Sequence, residues 1–145
     1  MKKLFSFVLA SIMCLSLAAC GGDTSTQGSG STSETTPPDL TGEWKQVNSN
    51  SEDSWQSATI DESTITVYWV SDNGDTKSLY WAGTYTAPET VDEPYSWDSE
   101  NDTEQTSTAL LASGDDTKTF TYEDGQISYE VSALGTTTTV RLEKQ

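Results

Sequence analysis

From Leu40 to the end of the chain, apolar and polar positions alternate with a period of two, the pattern of strands with one buried face. Ile65, Val67 and Trp69 alternate with Thr64, Thr66 and Tyr68, and Ile127, Tyr129, Val131 and Ala133 share a phase, as do Phe120 with Tyr122 and Val140 with Leu142. In the fourth segment, Leu79, Trp81, Gly83 and Tyr85 alternate with Ser78, Tyr80, Ala82 and Thr84. Strands are expected near Thr41–Asn48, Trp55–Asp61, Thr64–Val70, Thr76–Ala87, Gln105–Ala112, Thr117–Glu123, Gln126–Ala133 and Thr136–Glu143. Short loops rich in Asp, Asn, Gly and Ser separate them, for example Asp61-Glu62-Ser63 and Glu123-Asp124-Gly125, so consecutive strands should be antiparallel neighbours. No segment shows a helical stripe. About eight strands around one core predict an all-β domain, a small antiparallel up-and-down barrel closed or nearly closed, with a two-sheet sandwich as the alternative.

The first 39 residues follow a different pattern. Met1-Lys2-Lys3 precedes an apolar run from Leu4 to Ala18, a stretch with the length of a secretory signal and too short to span a bilayer comfortably. It ends in Leu17-Ala18-Ala19-Cys20, which resembles the lipobox of bacterial lipoproteins. The resemblance implies cleavage before Cys20 and acylation of that cysteine, hence a membrane anchor without a span. Gly21 to Asp39 carries almost only Gly, Ser, Thr and Pro, a composition that cannot offset ordering entropy. As a flexible tether it would span roughly 25 Å. The division expected is thus 1–19 leader, 20–39 lipidated cysteine and tether, and 40–145 barrel. A Cys-Gly-Gly start followed by such a tether is similar to lipoproteins of one-membrane bacteria, which places the head outside the cell at the membrane.

Charge narrows the partners. The chain has 145 residues with 7 Lys plus Arg, 23 Asp plus Glu and no His. Loss of Lys2 and Lys3 with the leader leaves five positive against 23 negative side chains, a net of −18. Such a field repels phosphate backbones and excludes nucleic acid as an expected partner. Absence of His removes imidazole base chemistry and His metal sites. Cys14 leaves with the leader and no cysteine follows Cys20, so neither a disulfide nor thiol catalysis is open to the head.

Leu40-Thr41-Gly42-Glu43-Trp44 opens the first strand, and its Gly-x-Trp looks like the signature that begins barrels of the lipocalin and avidin type. That resemblance implies a tryptophan plugging the closed end under a basic residue of the last strand, and Arg141, the only arginine, lies there. Trp44 and Arg141 are the pair it nominates for barrel closure. Strict alternation sets Arg141 on the face opposite Val140 and Leu142, so the contact requires a local bulge or an arching side chain.

Candidate ligand-contacting residues are aromatic. Tyr68 and Tyr80 should point outward while Trp69 and Trp81 point in, and Trp55 and Trp97 are less constrained. Rings beside hydroxyls and carboxylates hold sugars or extended peptides, although cross-strand aromatic pairs also simply stabilise sheets. Pro88 to Glu104 should be an irregular acidic loop, whose Asp98, Glu100 and Asp102 alternate in a way that suits a hard cation such as calcium. It lacks the EF-hand pattern, and a solvated loop without metal is the default. Twenty-three carboxylates make a close pair inevitable, so a glycosidase-like pair is uninformative without a cleft. The function expected is a monomeric, non-enzymatic binding module without cofactor, displayed on the membrane through Cys20 and facing a cell-wall, glycan or protein ligand. A lipocalin-like carrier of a small ligand and a structural envelope lipoprotein are the alternatives. The carrier needs an open barrel interior.

Overall fold

The computed structural model describes residues 36–145; the leader, Cys20 and the tether up to Thr35 lie outside the described residues. Eight strands follow one another: β1 (Gly42–Gln46), β2 (Trp55–Ile60), β3 (Thr64–Ser71), β4 (Thr76–Thr84), β5 (Tyr95–Glu100), β6 (Thr117–Glu123), β7 (Gln126–Ala133) and β8 (Thr136–Lys144). A four-residue helix, α1 (Thr103–Thr106), lies between β5 and β6. The strands form one antiparallel sheet in the order β4-β3-β2-β1-β8-β7-β6-β5. Since β1 pairs with β8, the first and last strands meet, and a meander curls into a nearly closed barrel. The unit spanning 32–145 holds its own core.

The turns work as their residues dictate. Asp61 accepts hydrogen bonds from the Ser63 and Thr64 amides and from the Thr64 hydroxyl, closing the β2–β3 hairpin. These bonds, the Ser63 amide foremost, hold its carboxyl below the usual range. Asp124 and Gly125 adopt left-handed conformations in a two-residue hairpin turn, as do Leu134 and Gly135.

The expected strand at Gln105–Ala112 is not formed, and β5 instead lies inside the stretch expected to be an irregular loop. Asp102 accepts from the Glu104 amide and the Gln105 side chain, turning the chain into α1, while Leu110 and Leu111 remain exposed. In β5 the inward set is Tyr95, Trp97 and Ser99, and the acidic residues Asp98 and Glu100 are merely its outer face. Acidity masked an alternation that was present.

Inside the barrel, rings form a continuous column. Tyr95 stacks on Trp97 at 5.8 Å, Trp97 on Phe120 at 5.3 Å, and Phe120 meets Tyr129 at 4.9 Å. The column continues from Tyr129 to Tyr80 at 6.4 Å and ends edge-on at Trp69, 5.4 Å further. Each such pair adds roughly 0.5–1.5 kcal/mol beyond the area it buries. Tyr129 donates its hydroxyl to Gln56 Oε1, so the one polar side chain of β2 on the inner face is used by the column.

Tyr80 enters the column through a bulge. Val67 pairs with Trp81 and Tyr68 with Leu79, so β4 has one residue more than β3 at this point. The expected outward orientation of Tyr80 is therefore corrected: the extra residue breaks the two-residue phase, and Tyr80 and Trp81 are both buried.

The remaining edges, β4 and β5, close across a short seam. Gly83 bridges Asn101, the Asp102 amide donates to Ala82 O at 2.8 Å, and the Trp81 indole donates to Ser99 Oγ at 2.9 Å. A Cβ on Gly83 would stand 2.4 Å from Ser99 Oγ and 2.5 Å from the backbone oxygen of Glu100. Gly83→Ala should thus lower stability by about 1–3 kcal/mol, the usual cost of overpacking. Gly114→Ala, with open space around it, should leave the melting temperature unchanged. Equal melting of the two variants would remove the seam's importance.

Candidate functional site

On the outer face of β1 to β4, two cross-strand rows bring chemistry together. Lys45 pairs with Ser57, Ser57 with Tyr68, and Tyr68 with Leu79. Beside this row, Trp55 pairs with Val70 and Val70 with Lys77. Lys45 Nζ stands 4.1 Å from the centre of the Trp55 ring, close enough for a cation–π contact. Trp55, Tyr68, Lys45, Lys77, Ser57 and Glu43 line a depression of about 210 Å³. Trp55 and Tyr68 are each half-buried, so both rings are anchored yet reachable. Two of the five cations expected in the mature chain converge here, in a protein that is otherwise strongly acidic.

Of the four aromatic residues expected at a ligand surface, the structure therefore unites Trp55 and Tyr68. Tyr80 and Trp97 are buried in the ring column and face no solvent. Trp44 is buried, donates its indole N–H to Leu40 O at 2.9 Å and meets Tyr122 edge-on at 6.4 Å. Arg141 stands exposed on the outer face opposite Ser128 and makes no cation–π contact with Trp44, because β8 keeps its strict alternation there. The basic residue of the last strand that pairs with Trp44 is Lys144, whose ammonium donates to Asp39 O at 2.7 Å. Asp98 and Glu100 lie on the outer side of β5, where Asp98 accepts from the Thr119 hydroxyl, while Asp102 is spent on capping α1. No three His, Cys, Asp or Glu side chains among the described residues converge into a metal-binding group. Cys20 lies outside the described residues.

Sequence reasoning missed Lys118. It shares the phase of Phe120 and Tyr122, and that parity was the available signal. The side chain is buried opposite Ser99, with its ammonium 5.4 Å from the ring centres of both Tyr80 and Trp81. Asp115 Oδ2 accepts from it at 3.0 Å and Glu130 O at 3.3 Å. A buried ammonium is tolerated only when paired in this way. The Ser113 hydroxyl first, and Lys118 with it, hold the Asp115 carboxyl below the ordinary carboxylate range.

A carboxyl whose folded-state pKa is depressed contributes stability that is present above its unfolded value and lost as pH falls through the folded one. Asp115 should therefore withdraw support from Lys118 as pH falls from the ordinary carboxylate range through its depressed folded value. Thermal melts from pH 7 to pH 3 should show Asp115→Asn starting less stable than the parent and losing less on acidification. Parallel pH profiles would contradict the pairing.

Comparison with known proteins adds no relative to this geometry: no family model, no curated protein and no solved structure matches the chain.

Proposed function

We propose that the chain is a membrane-anchored lipoprotein whose barrel acts as a non-enzymatic binding module, contacting a saccharide ligand through the outer face at Trp55 and Tyr68. The observation that carries this reading is the convergence of two reachable rings, two ammonium donors and the Ser57 hydroxyl in one depression. Sugar rings present apolar C–H faces to aromatic groups and hydroxyls to donors, which is the chemistry this patch offers. Lys45 steadies the Trp55 ring and sets a donor beside it.

The column of rings argues against the carrier alternative. A small-ligand carrier of the lipocalin kind needs room where Trp97, Phe120, Tyr129 and Tyr80 now stand. Binding on the outside of a filled barrel fits a head displayed on a tether, with acyl chains on Cys20 holding it at the outer side of the membrane. The Gly-x-Trp opening and the barrel of eight antiparallel strands keep the lipocalin-like resemblance at the level of architecture.

Two measurements test these halves separately. Cells fed a palmitate analogue should label the parent and not Cys20→Ala; an unlabelled parent would remove the anchor. Titration of the soluble head with wall-derived oligosaccharides, neutral and uronate-bearing, should show saturable binding that weakens at least tenfold in Trp55→Ala and Tyr68→Ala, a loss of about 1.4 kcal/mol or more. Lys45→Glu with Lys77→Glu should weaken the uronate series more than the neutral one. Unchanged binding in all of these variants would move the site elsewhere.

A further inference from the structure

The hairpin of β6 and β7 is paired only next to its turn. Its ladder consists of Thr121 with Ser128, Tyr122 with Ile127 and Glu123 with Gln126, and then stops. Both strands nevertheless continue as strands: β6 remains paired with β5 as far as Thr117, and β7 with β8 as far as Ala133. From Thr117 to Phe120 and from Tyr129 to Ser132, two strand edges thus face each other without a ladder between them. The cleft there measures about 480 Å³.

We propose that this cleft is a strand slot that takes an extended peptide segment of about four residues, neutral or basic in character. Three features specify the occupant. First, a strand directs the backbone groups of alternate residues to each side, so each four-residue edge turns about two N–H and two C=O groups toward the gap. In the continued register these groups belong to the exposed residues Thr117, Thr119, Glu130 and Ser132, with Glu130 O already accepting from Lys118, and another extended backbone offers donors and acceptors at the same repeat on both sides. Second, the length is set by the gap: four residues at about 3.3 Å each span roughly 13 Å.

Third, charge selects the partner. Glu130 and Asp115 line the cleft against a single cation, Lys118, which Asp115 already neutralises. Thr117, Thr119 and Ser132 are among the uncharged hydroxyl residues that line it. An acidic segment would meet an unpaired Glu130 within a head of strongly negative charge, whereas a lysine in the segment would answer it. Lys118 and Tyr129 are the buried residues of its lining, and the Lys118 ammonium donates across the gap to Glu130 O at 3.3 Å. The slot is separate from the Trp55 face and stands or falls independently of it.

The test uses the head 32–145, labelled with nitrogen-15, and a blocked hexapeptide of alternating threonine and lysine. Amide shifts and slowed hydrogen exchange should appear at Thr117–Phe120 and Tyr129–Ser132, saturating in the millimolar range or below. The same peptide with alternate amides N-methylated, and a threonine–glutamate version, should each bind at least tenfold more weakly. Continuing the register places Thr119 opposite Glu130 across the gap, so Glu130→Lys should weaken the threonine–lysine peptide at least tenfold and favour the threonine–glutamate one. Equal binding of the N-methylated peptide, an unchanged peptide preference in Glu130→Lys, or no response at millimolar peptide would overturn the slot. Cello-oligosaccharide producing the same shifts would overturn the peptide as occupant. So would concentration-dependent dimerisation that protects these edges without peptide.

Discussion

A sheet buries its inner face only when its outermost strands meet, and here they meet where β4 passes β5 at Gly83. The backbone approaches so closely that a single methyl group would collide with Ser99 and the Glu100 carbonyl. Ser99 answers by being small and by accepting the Trp81 indole proton, which lets a tryptophan lie fully buried beside the seam. Elsewhere neighbouring strands are joined by hydrogen-bonded ladders, cut short only between β6 and β7, so this short crossing is what turns a curled meander into a barrel. The column of rings from Tyr95 to Trp69 can be dry only because the crossing holds.

A filled interior moves function to the outside. With no histidine or cysteine in the head, and with rings occupying the axis, the chemistry left is that of surfaces: aromatic faces, ammonium donors, hydroxyls and backbone edges. Cations are scarce, and their placement is correspondingly informative. Lys45 and Lys77 flank the outer aromatic patch, Lys144 ties the last strand to the start of the domain, and Lys118 is drawn inside among rings and a carboxylate. Lys118 also marks the point at which β6 leaves β7. A charged side chain on the inner face needs the partners found at the gap, Asp115 and the Glu130 carbonyl, more than it needs a closed ladder.

Much of the fold was readable from alternation alone. Seven of the eight strands lie where alternation led them to be expected, and the hairpin turns fall at the Asp, Asn and Gly clusters. The exception is instructive: β5 alternates Tyr95, Trp97 and Ser99 with acidic residues, and the acidity read as loop, while neighbouring Leu110 and Leu111 lent false apolar weight to a turn. At the candidate site, Tyr68 was readable as an outward ring and Trp55 was left unconstrained by the pattern, but Tyr80 was not separable from Tyr68, since a one-residue bulge lies in the pairing of strands and not in either strand's composition.

The sequence by itself determined an all-β head of alternating strands, its lack of histidine and cysteine chemistry, and its acidity, because these follow from local periodicity and from counting. Only the tertiary structure decided which rings face in, which cation is buried, where the barrel closes and where its ladder opens. Those outcomes depend on register and on contacts between residues far apart in the chain, such as Tyr129 with Gln56 and Trp81 with Ser99. A period of two says that a face exists; the neighbouring strand decides what that face meets.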